Sequence, residues 1–307
     1  MSELTGALEE YLALRRGVGI QLVGAGYALR GLVAELEAAG QHFITTDALL
    51  AWATRPASAS SGWWSQRLQM GRSFARFLNA LDSRHQVPPP RLLPPGPDRR
   101  GRHYFHEDEV GTLMQAAKRL EPTLRGETYA TLIGLLWVTG MRVGEALALD
   151  RTDVDLAGAV ITVRHAKFNK ARRLPLADST RAALAAYAGL RDAAIARPET
   201  PAFFLSRLAK RPSYKIVQST FATLLPAAGL EDRPRLRPRL HDLRHGFAVA
   251  AVTDWHRNGL DAEPRLARLA TYLGHVDPTK TYRYLSATPE LMGAAGSRLD
   301  AYLGELS

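Results

Sequence analysis

Apolar residues recur at three- and four-residue spacing through most of this chain. Leu4, Leu8 and Leu12, then Leu22, Leu29, Leu32 and Leu36, predict helices over 3–16 and 21–39. Thr45-Thr46-Asp47 offers side-chain oxygens to cap a third helix over 48–53, and Ser60-Ser61 can start a fourth that runs to about Leu81. In that last segment Trp63, Leu68 and Phe77 alternate with Arg67, Arg72 and Arg76, which mixes an apolar stripe with an arginine-bearing face. The pattern predicts a small helical domain over 1–87. It stops at Pro88, where six prolines in ten residues remove N–H donors and deny helix and sheet alike, so 88–103 reads as a semi-rigid, basic linker. From His106 helical spacing resumes over 107–120, 126–138, 143–149, 178–189, 214–225, 241–253, 263–272 and 289–303. Two short β-rich runs, 159–163 and 173–176, interrupt it, joined by a turn at Phe168-Asn169-Lys170. The second domain, 104–307, is therefore expected to be mainly α with a small antiparallel β-sheet, an α+β arrangement.

Composition narrows the class. A chain of 307 residues with 46% hydrophobic and 23% charged residues suits two folded domains. No window approaches the roughly 18 uninterrupted apolar residues of a membrane span. The start, Met1-Ser2-Glu3-Leu4, has no basic stretch followed by an apolar run, so a cytoplasmic location is expected. The absence of cysteine excludes disulfides, thiolate metal sites and a cysteine nucleophile. A formal charge of +10 and a pI near 10.1 point to a polyanionic partner, because each Lys or Arg that meets a phosphate releases condensed counterions. The first 95 residues hold nine Arg and no Lys against seven acids, so most of the positive field belongs to the second part.

Several fragments carry chemistry. In Gly140-Met141-Arg142-Val143-Gly144-Glu145 a glycine turn delivers an arginine to a helix start, and Glu145, three residues on, can hold its guanidinium. Such a fork matches two phosphate oxygens, and a helix N-terminus adds favourable potential for the anion. Alone, the pair reads first as a surface ion pair worth a few tenths of a kcal/mol. In His241-Asp242-Leu243-Arg244-His245 the residues His241, Arg244 and His245 share one helix face. The His241/His245 spacing is also that of zinc proteases, but Arg244 beside them and the lack of a third ligand argue against a metal, and no cofactor is expected. Lys167, Lys170, Arg172 and Arg173 crowd the hairpin, and Arg233, Arg235, Arg237 and Arg239 alternate with Pro and Leu before the His241 helix. Both runs fit a solvated basic loop or a grip on DNA phosphates. Leu273-Gly274-His275 could by itself be a helix C-terminal cap. Tyr282 and Tyr284 stand two apart, so on a helix only one could meet a given phosphate.

In this order and spacing, the fragments between about 104 and 290 resemble the tyrosine recombinase family, which includes phage integrases and Xer-type resolvases. The N-terminal helical domain matches in size and class only, as the family's core-binding domain. The resemblance implies that Arg142 and Arg244 clamp the scissile phosphate, Glu145 supports Arg142, His241 accepts or relays the nucleophile's proton, His245 packs, and His275 bonds a non-bridging oxygen. The family's Gly-Lys-Gly-Asn-Lys turn corresponds to Ala166-Lys167-Phe168-Asn169-Lys170, which selects Lys167 as proton donor to the departing 5′ oxygen; the missing glycines leave Lys170 as a second candidate. The nucleophile commonly falls nine residues after the histidine, which selects Tyr284 over Tyr282. Arg233, Arg235, Arg237, Arg239, Lys170 and Arg172 are then read as contacts to DNA.

The implied reaction makes a 3′-phosphotyrosine and a free 5′-hydroxyl, and reverses without ATP, metal or cofactor. The implied partner is double-stranded DNA, clamped between two domains in a homotetramer on synapsed sites, with a monomer or weak oligomer without DNA and a nucleoid-associated location. The helix over 289–303 could dock on a neighbouring protomer or on its own domain. The run from Tyr284 to Leu291 looks like transposon-borne recombinases. A type IB topoisomerase shares the chemistry, and a DNA-binding regulator without turnover shares the fold; both stay open at this point.

Overall fold

The apolar spacing of the first hundred residues closes into four helices: α1 (Glu3–Gly17), α2 (Val23–Ala38), α3 (Thr46–Thr54) and α4 (Ser61–Leu81). The structure, a computed structural model, describes residues 3–20, 22–94, 103–164, 171–231 and 238–274, together with Thr281 and Gly293. The caps fall where hydroxyls were placed to make them. Thr45 Oγ1 accepts from the Ala48 amide at 3.1 Å, and Ser60 Oγ from the Trp63 amide at 3.3 Å. Leu8, Leu12, Leu29, Leu32, Leu49, Trp52, Phe74 and Leu78 bury one shared core.

The chain divides into two compact units, 1–100 and 101–307. The opening of the proline segment is held by the first of them. Buried Arg72 donates from Nε to the Pro88 carbonyl at 2.9 Å and from Nη2 to that of Pro89 at 2.5 Å, while Ser65 donates to Pro94 O at 2.6 Å. Prolines give up their N–H groups but keep their carbonyls. Those carbonyls are what α4 uses.

In the second unit α5 (Glu107–Lys118) packs along α6 (Thr123–Thr139), which is buried almost all round through Leu124, Tyr129, Leu132, Ile133, Leu135 and Leu136. A helix apolar on every face belongs at a core's centre. After it come the short α7 (Val143–Ala148) and a three-stranded antiparallel sheet, β1 (Val154–Asp155), β2 (Val160–Val163) and β3 (Arg172–Pro175), in the order β1-β2-β3. The sequence pattern shows two of these strands. At two residues, β1 is too short to carry a readable alternation, and its pairing Val154↔Ile161 defines it instead. Then follow α8 (Asp178–Ala194), α9 (Tyr214–Ala227), α10 (Leu240–Arg257) and α11 (Glu263–Leu273). The expected turn at 168–170 and tail helix at 289–303 lie outside the described residues.

Two close approaches place the later chemistry. α10 crosses α6 at Gly246, where an added Cβ would lie 2.6 Å from the Trp137 ring and 2.8 Å from the Phe105 carbonyl oxygen. α6 ends at Gly140 in the left-handed region (φ +57°), where a Cβ would meet the Phe247 ring at 2.4 Å and Leu273 at 2.9 Å. Glycine at these positions lets α10 and α11 press against the end of α6. Gly246→Ala tests the first approach. Alanine gains about 1 kcal/mol over glycine in a helix, but the clash with backbone costs about 1–3 kcal/mol. A net loss is expected as a lower urea midpoint, and a raised midpoint would show that the helices are not so close.

Candidate active site

The site is built where α6 and α11 end. Beyond Gly140 the chain turns sharply, and Arg142, in extended geometry, becomes the N-cap residue of α7. Glu145 closes that turn, its Oε2 accepting from the Arg142 amide at 2.9 Å. Its Oε1 accepts from Arg142 Nη1 at 2.7 Å, so one carboxylate fixes both the backbone and the side chain of the arginine. The other Arg142 nitrogen, Nη2, donates to the Gly274 carbonyl at 2.9 Å. Gly274 is the left-handed cap of α11 (φ +68°).

Arg244 approaches from α10. Only 2% exposed, it donates from Nη1 to the Gly140 carbonyl at 2.7 Å and from Nη2 to the Leu273 carbonyl at 2.6 Å. Leu273 and Gly274 are consecutive, so Arg142 and Arg244 are anchored on adjacent peptides. Helix C-termini carry partial negative charge and orphan carbonyls, which suits both cations.

A third guanidinium completes the cluster. Arg172, at the start of β3, donates from Nη1 and Nη2 to Glu145 at 3.1 and 2.7 Å. Burial alone would raise the Glu145 carboxyl. The hydrogen bonds and charge of Arg172, with the backbone and side-chain bonds of Arg142, outweigh it and hold the group below the ordinary carboxylate value.

Strand alternation accounts for Arg172. It pairs with buried Val163 and shares a face with buried Leu174, whereas Arg173 points to solvent. Arg172, expected to contact DNA, is a half-buried side chain that grips a carboxylate. The signal was present in the sequence: Leu174 and Leu176 both face inward, and residue 172 lies two further back on that face.

The start of α10 is organised by Asp242, 1% exposed, which accepts from the Arg239 amide at 2.9 Å and from its Nη2 at 3.3 Å. Arg239 otherwise keeps an exposed side chain. His245 is buried and His241 exposed, their rings edge to face at 4.8 Å. Among the described residues no group of three or more His, Asp or Glu is arranged to hold a metal. Tyr272, packed on Phe247, has its phenol pushed up by burial, an effect Arg172 partly opposes. Lys167, Lys170, Arg233, Arg235, Arg237, His275, Tyr282 and Tyr284 lie outside the described residues. Of the expected site, the structure brings together Arg142, Glu145, Arg172 and Arg244, with the Leu273-Gly274 turn that leads into His275.

Residues 103–290 match the phage integrase family. The chain belongs to that family of tyrosine recombinases. Over 307 residues, 98% of each chain, it is 39% identical to the integrase/recombinase y4rB of Sinorhizobium fredii, and it is 32% identical to the tyrosine recombinase XerC of Azotobacter vinelandii over 69% of each chain. Among solved structures, the Tn1549 transposon integrase in complex with transposon right end DNA shares the fold with a TM-score of 0.65 at 17% identity, covering 96% of this chain and 99% of that one. XerH bound to a palindromic difH substrate gives 0.62 at 16% identity, over 84% and 73%. The mainly helical fold with its small antiparallel sheet is thus that of the family's solved members.

Removing the charge of Glu145 tests the cluster. Glu145→Gln leaves Arg142 and Arg172 facing each other across a neutral amide, and a loss of about 2–4 kcal/mol at pH 7 is expected in urea denaturation. A carboxyl held below its unfolded value stabilises fully above about pH 4.3, and that contribution disappears as pH falls through the folded value. The wild type should therefore lose stability through that acidic window more steeply than the variant. Parallel pH curves would show that the ion cluster contributes nothing.

Proposed function

We propose that this chain is a site-specific DNA recombinase that cuts and rejoins double-stranded DNA through a 3′-phosphotyrosine intermediate. The observation that carries the reading is the anchoring of Arg142 and Arg244 on the consecutive carbonyls of Gly274 and Leu273, directly before His275. Two forked cations held at one turn suit a single phosphodiester, whose charge repels nucleophiles and whose transition state gains from fixed donors. His275, next along the chain, would add a bond to a non-bridging oxygen.

In the proposed step Tyr284 Oη bonds to phosphorus while the P–O5′ bond breaks. The phenol, with an ordinary pKa of about 10, passes its proton to His241, and the departing O5′ takes one from Lys167. A second DNA end bearing a 5′-hydroxyl reverses the step, so the bond is re-formed without ATP. Arg233, Arg235, Arg237, Arg239 and Lys170 would grip the flanking backbone. A homotetramer on paired sites and a cytoplasmic, nucleoid-associated location complete the reading. Similarity along the whole length to an integrase/recombinase, and a fold shared with a transposon integrase, support a mobile-element setting.

A nicked suicide substrate tests the reaction. Wild type and Tyr282→Phe should accumulate a covalent protein–DNA adduct on denaturing gels, and Tyr284→Phe should form none. Arg142→Ala and Arg244→Ala should each slow the adduct by about 10²–10³-fold, the cost of one oxyanion donor or more. An adduct that survives Tyr284→Phe but not Tyr282→Phe reverses the assignment, and a wild type without an adduct leaves a binding protein. Joining of two labelled sites separates recombination from relaxation by a monomer.

A further inference from the structure

The Glu145 carboxylate is held from two sides, and the two holds differ in kind. Arg142 comes from its own turn, three residues away, with its amide on Oε2 and its Nη1 on Oε1. Arg172 comes from the sheet and covers both oxygens with a fork, Nη1 on Oε1 and Nη2 on Oε2. Its side chain is 13% exposed against 30% for Arg142. Its Nε is also buried, with no acceptor among the described residues. Its far side rests on the α11 cap: an added Cβ at Gly274 would lie 3.1 Å from Arg172 Nη1.

We infer that Arg172 is a positioning residue: it locks the Glu145 carboxylate, and through it the direction of the Arg142 guanidinium, while pinning the β2–β3 hairpin to the start of α7. The inference rests on the reaction proposed above and adds a residue to it. A carboxylate held only by the amide and guanidinium of its own turn shifts whenever that turn shifts, and the arginine shifts with it. A fork from a strand of fixed register removes that freedom. The Val163↔Arg172 pairing sets the register, so the hairpin and the Arg142 turn become one mechanical piece. Both terminal nitrogens of Arg172 already hold Glu145 and its side chain is only 13% exposed, so it faces the carboxylate and not solvent. Its neighbour Arg173, on the opposite face of β3, is the exposed one.

The test separates positioning from phosphate contact and from simple charge balance. Adduct formation on the suicide substrate is followed at saturating DNA, alongside Kd across a salt series, for wild type, Arg172→Met, Arg172→Lys, Glu145→Gln and the Glu145→Gln/Arg172→Met double variant. Misplacing a reacting group by about 1 Å costs about 10²-fold. Arg172→Met should therefore slow adduct formation by about that factor while Kd and its salt slope stay as in wild type. Arg172→Lys keeps the charge but loses the fork and should recover only a minor part of the rate. The double variant should be no slower than its slower parent, because both remove one unit.

A weakened Kd with a salt slope smaller by about one, and an unchanged rate at saturation, would make Arg172 a phosphate contact and overturn the inference. Full rescue by lysine, or additive losses in the double variant, would overturn it too. Should Arg172→Met fail to fold, Arg172→Lys, close in size and charge, carries the same comparison. A second readout does not depend on turnover. A fixed Arg142 guanidinium keeps its two Nη resonances apart in ¹⁵N NMR, and Arg172→Lys should average them. Unchanged Arg142 signals would refute the inference even if no variant, wild type included, cleaves DNA; a wild type that forms no adduct yet shows averaging in Arg172→Lys refutes the reaction and leaves the positioning role.

Discussion

One buried carboxylate holds this site together. Moving an ionised carboxyl out of water costs several kcal/mol after relaxation, and proteins accept that only where donors surround it. Glu145 is surrounded on all sides: the Arg142 amide, the Arg142 guanidinium and both terminal nitrogens of Arg172. Through these donors it is tied to different pieces of structure. The amide fixes the first turn of α7, the Arg142 side chain faces the end of α11, and Arg172 ties in the sheet. The cost of burying Glu145 is thereby offset by contacts that also define the geometry around Arg142.

A second constraint is steric. Helix ends leave carbonyls without partners, and a left-handed glycine is the usual way to turn the chain just after them. Gly140 and Gly274 do this at the ends of α6 and α11, and Arg244 bridges the carbonyls of Gly140 and Leu273. Bridging needs the helices to lie close, which Gly140 and Gly246 permit by lacking a Cβ. An arginine that is 2% exposed and donates to main-chain carbonyls is held as rigidly as the backbone itself. Rigid cations are what a phosphoryl transition state rewards, because they need no reorganisation when charge moves.

Most of the architecture could be read along the chain. Thr45 and Ser60 cap where hydroxyls precede apolar runs, and α10 starts at Leu240, beside the expected His241. The Gly140-Met141-Arg142 turn and its carboxylate three residues on are local features, so period and propensity sufficed to find them. Two buried partnerships are not legible along the chain, for the same reason. Arg172 read as a loop cation, because neighbouring lysines and arginines hide the alternation that turns it inward. Arg72 read as one more arginine on a helix face, because nothing in its own helix announces the Pro88 and Pro89 carbonyls that bury it.

By itself the sequence determined most of the described helices, the Thr45 and Ser60 caps, the two glycine turns and which polar side chains are candidates for the site. Only the tertiary structure decided which of them meet. Arg142 finds Gly274 across 132 residues, Arg244 finds Gly140 across 104, and Arg172 finds Glu145 across 27. Local periodicity fixes the face on which a side chain stands. The partner of a buried guanidinium is chosen by whichever distant carbonyl or carboxylate the packing of helices brings within about 3 Å.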